Sequence, residues 1–191
     1  MNKVRYWIGI GLIITTIACS ERNPMIHLYD ITVERIDGSI IPMSDFKGKT
    51  LLIVNTASRC GFTGQYNALE RVYQRYQDED FIVLAFPSNN FMGQEPGSNA
   101  EIAQFCENRF QISFPLFSKI DVKGKQQHPL YAWLTSKEHH PTFGGKITWN
   151  FNKFLISPSG EVIARFGSRQ SPTDESILTA IESALADTVY K

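Results

Sequence analysis

Cysteine is scarce in this chain: three residues in 191, at positions 19, 60 and 106. They are too few and too dispersed for a disulfide framework or a four-thiolate zinc site, so each needs its own account. An excess of one charge sign is also missing. Nineteen Lys and Arg offset nineteen Asp and Glu, and the pI is near 6.9. No global field is left to concentrate nucleic acid or anionic lipid, and a nucleic-acid partner is not expected. No apolar run reaches the ~20 residues of a bilayer span. Repeats and low-complexity tracts are absent as well. Gly144-Gly145-Lys146 lacks the strand-loop-helix setting of a phosphate-binding loop, and no cofactor is inferred. His139-His140 is followed by Pro141 with no third ligand beside it, which reads as an exposed loop rather than a metal site. His27 and His128 read as structural. What the chain does have is 42% hydrophobic and 20% charged residues, enough for one compact domain with a real core.

The first twenty residues differ from the rest. Lys3 and Arg5 precede an apolar stretch from position 6 to 17, about twelve residues long and within the ~7–15 of a signal-peptide core. Ala18 stands before Cys19, and the chain then turns polar. This resembles a bacterial lipoprotein signal, in which the cysteine becomes the lipidated first residue. The resemblance implies residues 1–19 as an export segment, 20–24 as a short linker and 25–191 as the domain. It places the protein at the periplasmic face of a bacterial membrane, held by acyl chains on Cys19. Thr16 stands where such signals usually carry leucine. A soluble periplasmic protein, an uncleaved anchor and a buried cytosolic helix remain alternatives.

Along the domain, residues 26–35 and 40–43 read as strands of an N-terminal hairpin turning at Asp37-Gly38. Residues 51–54 form a continuous apolar run, as in a strand buried on both faces. Helical spacing follows over 64–76, and residues 81–86 make a second such strand. Strand, helix and strand with short joints imply a parallel pair with a crossover helix. A second helix is expected after Ser98 or Asn99, with Glu101 in its first turn and Ile102, Phe105, Cys106 and Phe110 on one face. A third covers 128–136. Residues 151–157 and 162–166 flank Pro158-Ser159-Gly160 as an antiparallel hairpin, and Ser171-Pro172 opens a last helix through Ile177, Ile181 and Leu185. The class is α/β, a mixed sheet flanked by helices.

Cys60 follows the strand at 51–54 by a short connection and precedes a helix. In an α/β sheet that is where ligand sites gather, and helix-terminal amides favour a thiolate there. Thr63 occupies the position of the second cysteine of a C-x-x-C motif, so a dithiol exchange enzyme of that kind is not expected. A lone cysteine is ordinarily an inert core residue. Three segments argue otherwise: Asn55-Thr56-Ala57-Ser58-Arg59-Cys60-Gly61-Phe62-Thr63; Phe86-Pro87-Ser88-Asn89-Asn90-Phe91 running into Gly93-Gln94-Glu95-Pro96-Gly97-Ser98; and Trp149-Asn150-Phe151-Asn152-Lys153-Phe154-Leu155. In this order and at these separations they resemble the glutathione peroxidase family, over nearly all of the chain from position 25. The resemblance implies a thioredoxin-like fold and a peroxidatic Cys60, with Gln94, Trp149 and Asn150 completing the site. Carboxamides and an indole N–H can donate to sulfur and to a departing oxygen without adding a rival nucleophile. Each of these three also has a structural reading, as turn, core or capping residue.

By the same resemblance Cys106 lies where some thioredoxin-dependent members carry a resolving cysteine. Its helical face equally fits a core position, and both readings stand. The stretch from 136 to 148 is short compared with tetrameric, glutathione-using relatives. The comparison therefore implies a monomer that takes electrons from a thioredoxin-like protein more readily than from glutathione. The expected substrates are hydrogen peroxide and organic hydroperoxides, lipid hydroperoxides included. The alternatives are a peroxide-sensing relay with little turnover and an exported binding protein on the same fold.

Overall fold

The computed structural model describes residues 27–186; the expected export segment and linker, with Cys19, lie outside the described residues. Four strands form the central sheet: β3 (Thr50–Thr56), β4 (Phe81–Pro87), β5 (Lys153–Ile156) and β6 (Val162–Phe166), in the order β4-β3-β5-β6. β3 and β4 run parallel, joined by helix α1 (Gln65–Tyr76), whereas β3/β5 and β5/β6 are antiparallel. The sheet is mixed, as expected. A separate hairpin, β1 (Thr32–Glu34) and β2 (Ile40–Pro42), turns through Gly38 at φ +88. Asp37 steadies that turn by accepting from the Ser39 amide at 2.9 Å.

The pleat sends alternate residues to opposite faces, and both faces are covered. Leu51, Ile53, Leu84, Phe86, Phe154 and Ile156 join one apolar cluster, with the hairpin and helix α3 (Pro129–Thr135). Leu52, Val54, Val83, Ala85 and Leu155 join the other, against α1, α2 (Asn99–Phe110) and α4 (Glu175–Ala186). Burial on both sides explains why β3 reads as an unbroken apolar run. Residues 115–118 extend the β4 edge, where Phe117 donates its amide to Ala85 at 3.0 Å, and Ser118 ties to Glu34 in the hairpin at 2.8 Å.

Two expectations shift. Residues 26–35 are not one strand: a 3-10 turn occupies Leu28–Asp30, because Leu28 turns into the core and the Tyr29 hydroxyl donates to the Pro158 carbonyl at 3.2 Å. The last helix starts at Glu175 rather than Ser171. Asp174 accepts from the Ser171 amide at 2.9 Å, and the resulting turn fills the space before the helix. His128 caps α3, its Nδ1 accepting from Leu130 at 3.2 Å, with Pro129 in the first turn.

Candidate active site

Cys60 stands beyond the carboxyl end of β3, 9% exposed, in a turn that precedes α1. The turn is braced by Thr63. Its hydroxyl donates to the Ala57 carbonyl at 2.8 Å and accepts the Cys60 amide at 2.9 Å, while its own amide donates to the Cys60 carbonyl at 3.0 Å. In sequence Thr63 says only what the site is not; in the fold it is the strut that holds the cysteine. Helix α1 begins at Gln65, five residues on, so the helix terminus is not the donor nearest the sulfur. That donor is the Phe62 amide, 3.4 Å from Cys60 Sγ.

A second loop locks onto this turn. Arg59 donates its amide to the Gln94 carbonyl at 3.0 Å, placing Gln94 beside the cysteine turn. The next residue, Glu95, is buried and accepts both the amide and the hydroxyl of Ser58, at 2.9 and 3.1 Å. Burial pushes the Glu95 carboxyl up, against the Ser58 hydrogen bonds and the charges of Lys119 and Arg59. Asn89 closes the loop, its Oδ1 accepting the Glu95 amide at 2.9 Å.

The third segment arrives from β5. Asn150 is buried, and its Nδ2 donates to Gln94 Oε1 at 2.9 Å. That bond occupies the carboxamide oxygen of Gln94 and leaves its amino group as the donor end. Asn150 Oδ1 is buried without a protein partner. The Trp149 carbonyl is held from two sides, by Asn55 Nδ2 at 3.1 Å and Asn152 Nδ2 at 2.9 Å. The Trp149 ring packs on both apolar clusters and lies 5.7 Å from the Phe91 ring. Phe151 adopts φ +63, and Lys153 pins its carbonyl at 2.8 Å. A non-glycine residue at positive φ needs such over-determination.

Of the residues singled out in sequence, Gln94 and Asn150 are thus joined directly, and Gln94 is tied to the cysteine turn through Arg59. Trp149 is fixed by its backbone beside them. Cys106 is in α2, 1% exposed, on the same sheet face as Cys60, and both thiols are free. Burial raises the Cys106 thiol to about 11. The nearby Tyr66 hydroxyl, buried without a fully formed hydrogen bond, opposes this only in part.

Glu95, Thr63, Asn55, Asn152 and Lys153 escaped the sequence reading as supports of the site. The signal was there for Asn55 and Lys153: a polar residue in or against an apolar strand run must be satisfied internally if both faces are buried.

The chain matches the glutathione peroxidase family over residues 28–135. Along most of its length it is also similar to curated proteins. It is 47% identical over 161 residues to the glutathione peroxidase-like peroxiredoxin gpx1 of Schizosaccharomyces pombe, covering 84% of this chain and all of the relative. It is 47% identical over 152 residues to the hydroperoxy fatty acid reductase gpx1 of Synechocystis, covering 77% and 90%. The chain belongs to the glutathione peroxidase family. It is a peroxidase with a thioredoxin-like fold. Among solved structures, the apo form of Trgpx is similar at 38% identity and a TM-score of 0.68, covering 85% of this chain and 97% of that one. A thiol:disulfide interchange protein DsbE from Chlorobium tepidum shares the fold alone, at 17% identity and a TM-score of 0.57 over 83% and 95%.

Proposed function

We propose that this glutathione peroxidase family member reduces hydroperoxides through Cys60 and is recycled by a thiol-type reductant after resolution by Cys106. The observation that carries the reading is the link from Cys60 to the Gln94–Asn150 pair: Phe62 N–H on the sulfur, Arg59 N–H on the Gln94 carbonyl, and the two carboxamides bonded to each other. The Cys60 thiolate attacks the distal oxygen of R–O–O–H. The O–O bond breaks, Cys60 becomes S–OH, and R–O⁻ takes a proton to leave as R–OH. Gln94 Nε2 and the Trp149 indole N–H are the donors for the developing oxyanion, and Asn150 Oδ1 can accept from a water that delivers the proton.

Resolution follows by condensation: Cys60 S–OH and Cys106 S–H give S–S and water. A dithiol then returns two electrons and two protons, restoring both thiols. A buried thiol held up at about 11 is a poor nucleophile, and a disulfide needs α-carbons within ~7 Å. Because Cys106 is held in α2 and only 1% exposed, this resolution calls for a local opening of that helix. A thioredoxin-like protein suits an exposed, newly opened disulfide better than glutathione does. A monomer tethered by lipid on Cys19 at the periplasmic face accords with the signal-like segment.

The deciding experiment is intact mass and non-reducing peptide mapping of the full-length protein after one equivalent of hydrogen peroxide. Loss of two hydrogens with a Cys60–Cys106 crosslink is the expected result. Oxygen added at Cys60 without a crosslink would make Cys106 structural and put an external thiol first. An unoxidised Cys60 would overturn the reading, and one turnover without sustained consumption in the presence of a dithiol would favour a relay.

A further inference from the structure

Two hydrogen-bonded connections leave the cysteine turn for the segment that carries Trp149 and Asn150. One runs through Arg59 and Gln94 to the Asn150 side chain. The other runs through residues 167–170, the loop that follows β6, and its residues play no part in the chemistry so far described.

This second connection starts at the sulfur. The Phe62 amide lies 3.4 Å from Cys60 Sγ, and the Phe62 carbonyl accepts the Gln65 amide at 2.9 Å. Gln65 opens α1, and its side-chain Nε2 donates to the Ser168 carbonyl at 2.6 Å. The Ser168 hydroxyl then accepts from Asn152 Nδ2 at 3.0 Å, and the same nitrogen donates to the Trp149 carbonyl at 2.9 Å. A carboxamide nitrogen carries two hydrogens, and here both are committed. Turning the Asn152 amide over would break both bonds and set its oxygen against the Trp149 carbonyl. Ser168 is therefore the group that selects the orientation of Asn152.

The loop is tied down on its own account. Gly167 donates its amide to Gln170 Oε1 at 2.8 Å, and Gln170 returns its amide to the Gly167 carbonyl at 3.2 Å. The buried Lys153 Nζ donates to the Gln170 carbonyl at 2.7 Å. Ser168 thus sits on a fixed point between the helix that follows the cysteine and the strand that follows Trp149. The two connections also hold different things: Gln94 reaches the Asn150 side chain, whereas Ser168 acts on the Trp149 backbone. A donor such as the Trp149 indole N–H stabilises developing charge only where it is held in place before the charge appears.

We infer that Ser168 is a positioning residue for the oxidation of Cys60, acting through Asn152 to set Trp149 in register with the cysteine turn, an assignment that rests on the peroxidase reading above. The test uses the full-length protein with hydrogen peroxide and dithiothreitol, and reads kcat/KM for each. Ser168→Ala deletes the hydroxyl and keeps the carbonyl that Gln65 uses. It is expected to lower kcat/KM for hydrogen peroxide by about three- to tenfold, the worth of one hydrogen bond, and to leave kcat/KM for dithiothreitol unchanged. A general loss of active protein lowers both constants in proportion. Ser168→Thr, which keeps a hydroxyl acceptor, should recover the peroxide constant to within about twofold of wild type. In a Trp149→Phe background, where the indole donor is gone, adding Ser168→Ala is expected to cost less than about twofold more.

An unchanged peroxide constant in Ser168→Ala would overturn the assignment, and so would equal losses in both constants or a failure of Ser168→Thr to recover. An undiminished effect in the Trp149→Phe background would show that Ser168 does not act through Trp149. Wild type that consumes no peroxide and keeps Cys60 reduced would sink the peroxidase reading and this inference together. With wild-type turnover intact, a failure belongs to Ser168 alone.

Discussion

Cys60 and Cys106 share one face of the sheet, yet their surroundings differ. Cys60 keeps a small opening and an amide donor on its sulfur; Cys106 is sealed between Tyr66 and the helix, with its proton held by burial. The two thiols are therefore not interchangeable. Cys60→Ser is expected to lower kcat/KM for hydrogen peroxide by more than about a thousandfold, because a hydroxyl is not activated by these contacts. Cys106→Ser should leave the rate of the first oxidation intact and abolish the disulfide, read by rapid-quench mass spectrometry. Equal steady-state turnover of Cys106→Ser with a thioredoxin-like reductant would remove its resolving role.

At the scale of the element, the proposed resolution by Cys106 asks α2 to be stable at rest and able to open. Its N-terminus carries a capping box. The Ser98 hydroxyl accepts the Glu101 amide at 3.3 Å, while the Glu101 carboxylate accepts the Ser98 amide at 2.7 Å and the Ser98 hydroxyl at 2.9 Å, two bonds that hold it below the usual carboxylate range. Its C-terminus ends on Gln111 at φ +49, whose amide donates to Glu107 at 3.1 Å. Removing the cap costs about 1 kcal/mol, which favours the opened helix by about fivefold. Ser98→Ala should therefore speed disulfide formation several-fold in stopped-flow fluorescence without changing the first oxidation. A rate that is unchanged would show that opening starts elsewhere than at this end.

For the whole molecule, Lys153 is the most consequential residue outside the chemistry. It is fully buried, donates to the Phe151, Gly167 and Gln170 carbonyls, and joins β5 to the loop that leads to α4. Desolvation lowers its amine from 10.5 to about 7, opposed by the charge of Asp174. Between about pH 7 and 10.5 the unfolded chain binds a proton that the folded chain has released, so stability rises with pH across that window. Below it both states are protonated and the contribution is flat. Urea midpoints across this range should climb for wild type and lose that climb in Lys153→Met; parallel curves would show that Lys153 remains charged in the fold. The proposed lipid anchor is also tested at this scale. Cys19→Ser should lose radiolabelled palmitate and move from the membrane to the soluble fraction, and retention of the label would exclude Cys19 as its site.

The sequence alone determined the features that rest on local chemistry and on periodicity. Alternation and apolar runs marked β3, β4 and their crossover helix, Gly38 and Gly160 marked the turns, and the three motif segments carried the family. Residues 26–35 misled because β-branched and apolar residues there satisfy a strand pattern equally well. Only packing of Leu28 and the reach of Tyr29 to Pro158 bend the chain into a turn. Lys153 sits where a half-exposed strand would place a solvent-facing charge; it is buried because helices cover that face too. An open cleft lined by Lys123, Lys137, Lys146 and Arg165 joins residues from the 122–127 segment, the end of α3, the 144–148 loop and β6, and no local pattern brings them together. Which side chains meet, and which charges go unpaired, follows from long-range burial, and that was decided only by the tertiary structure.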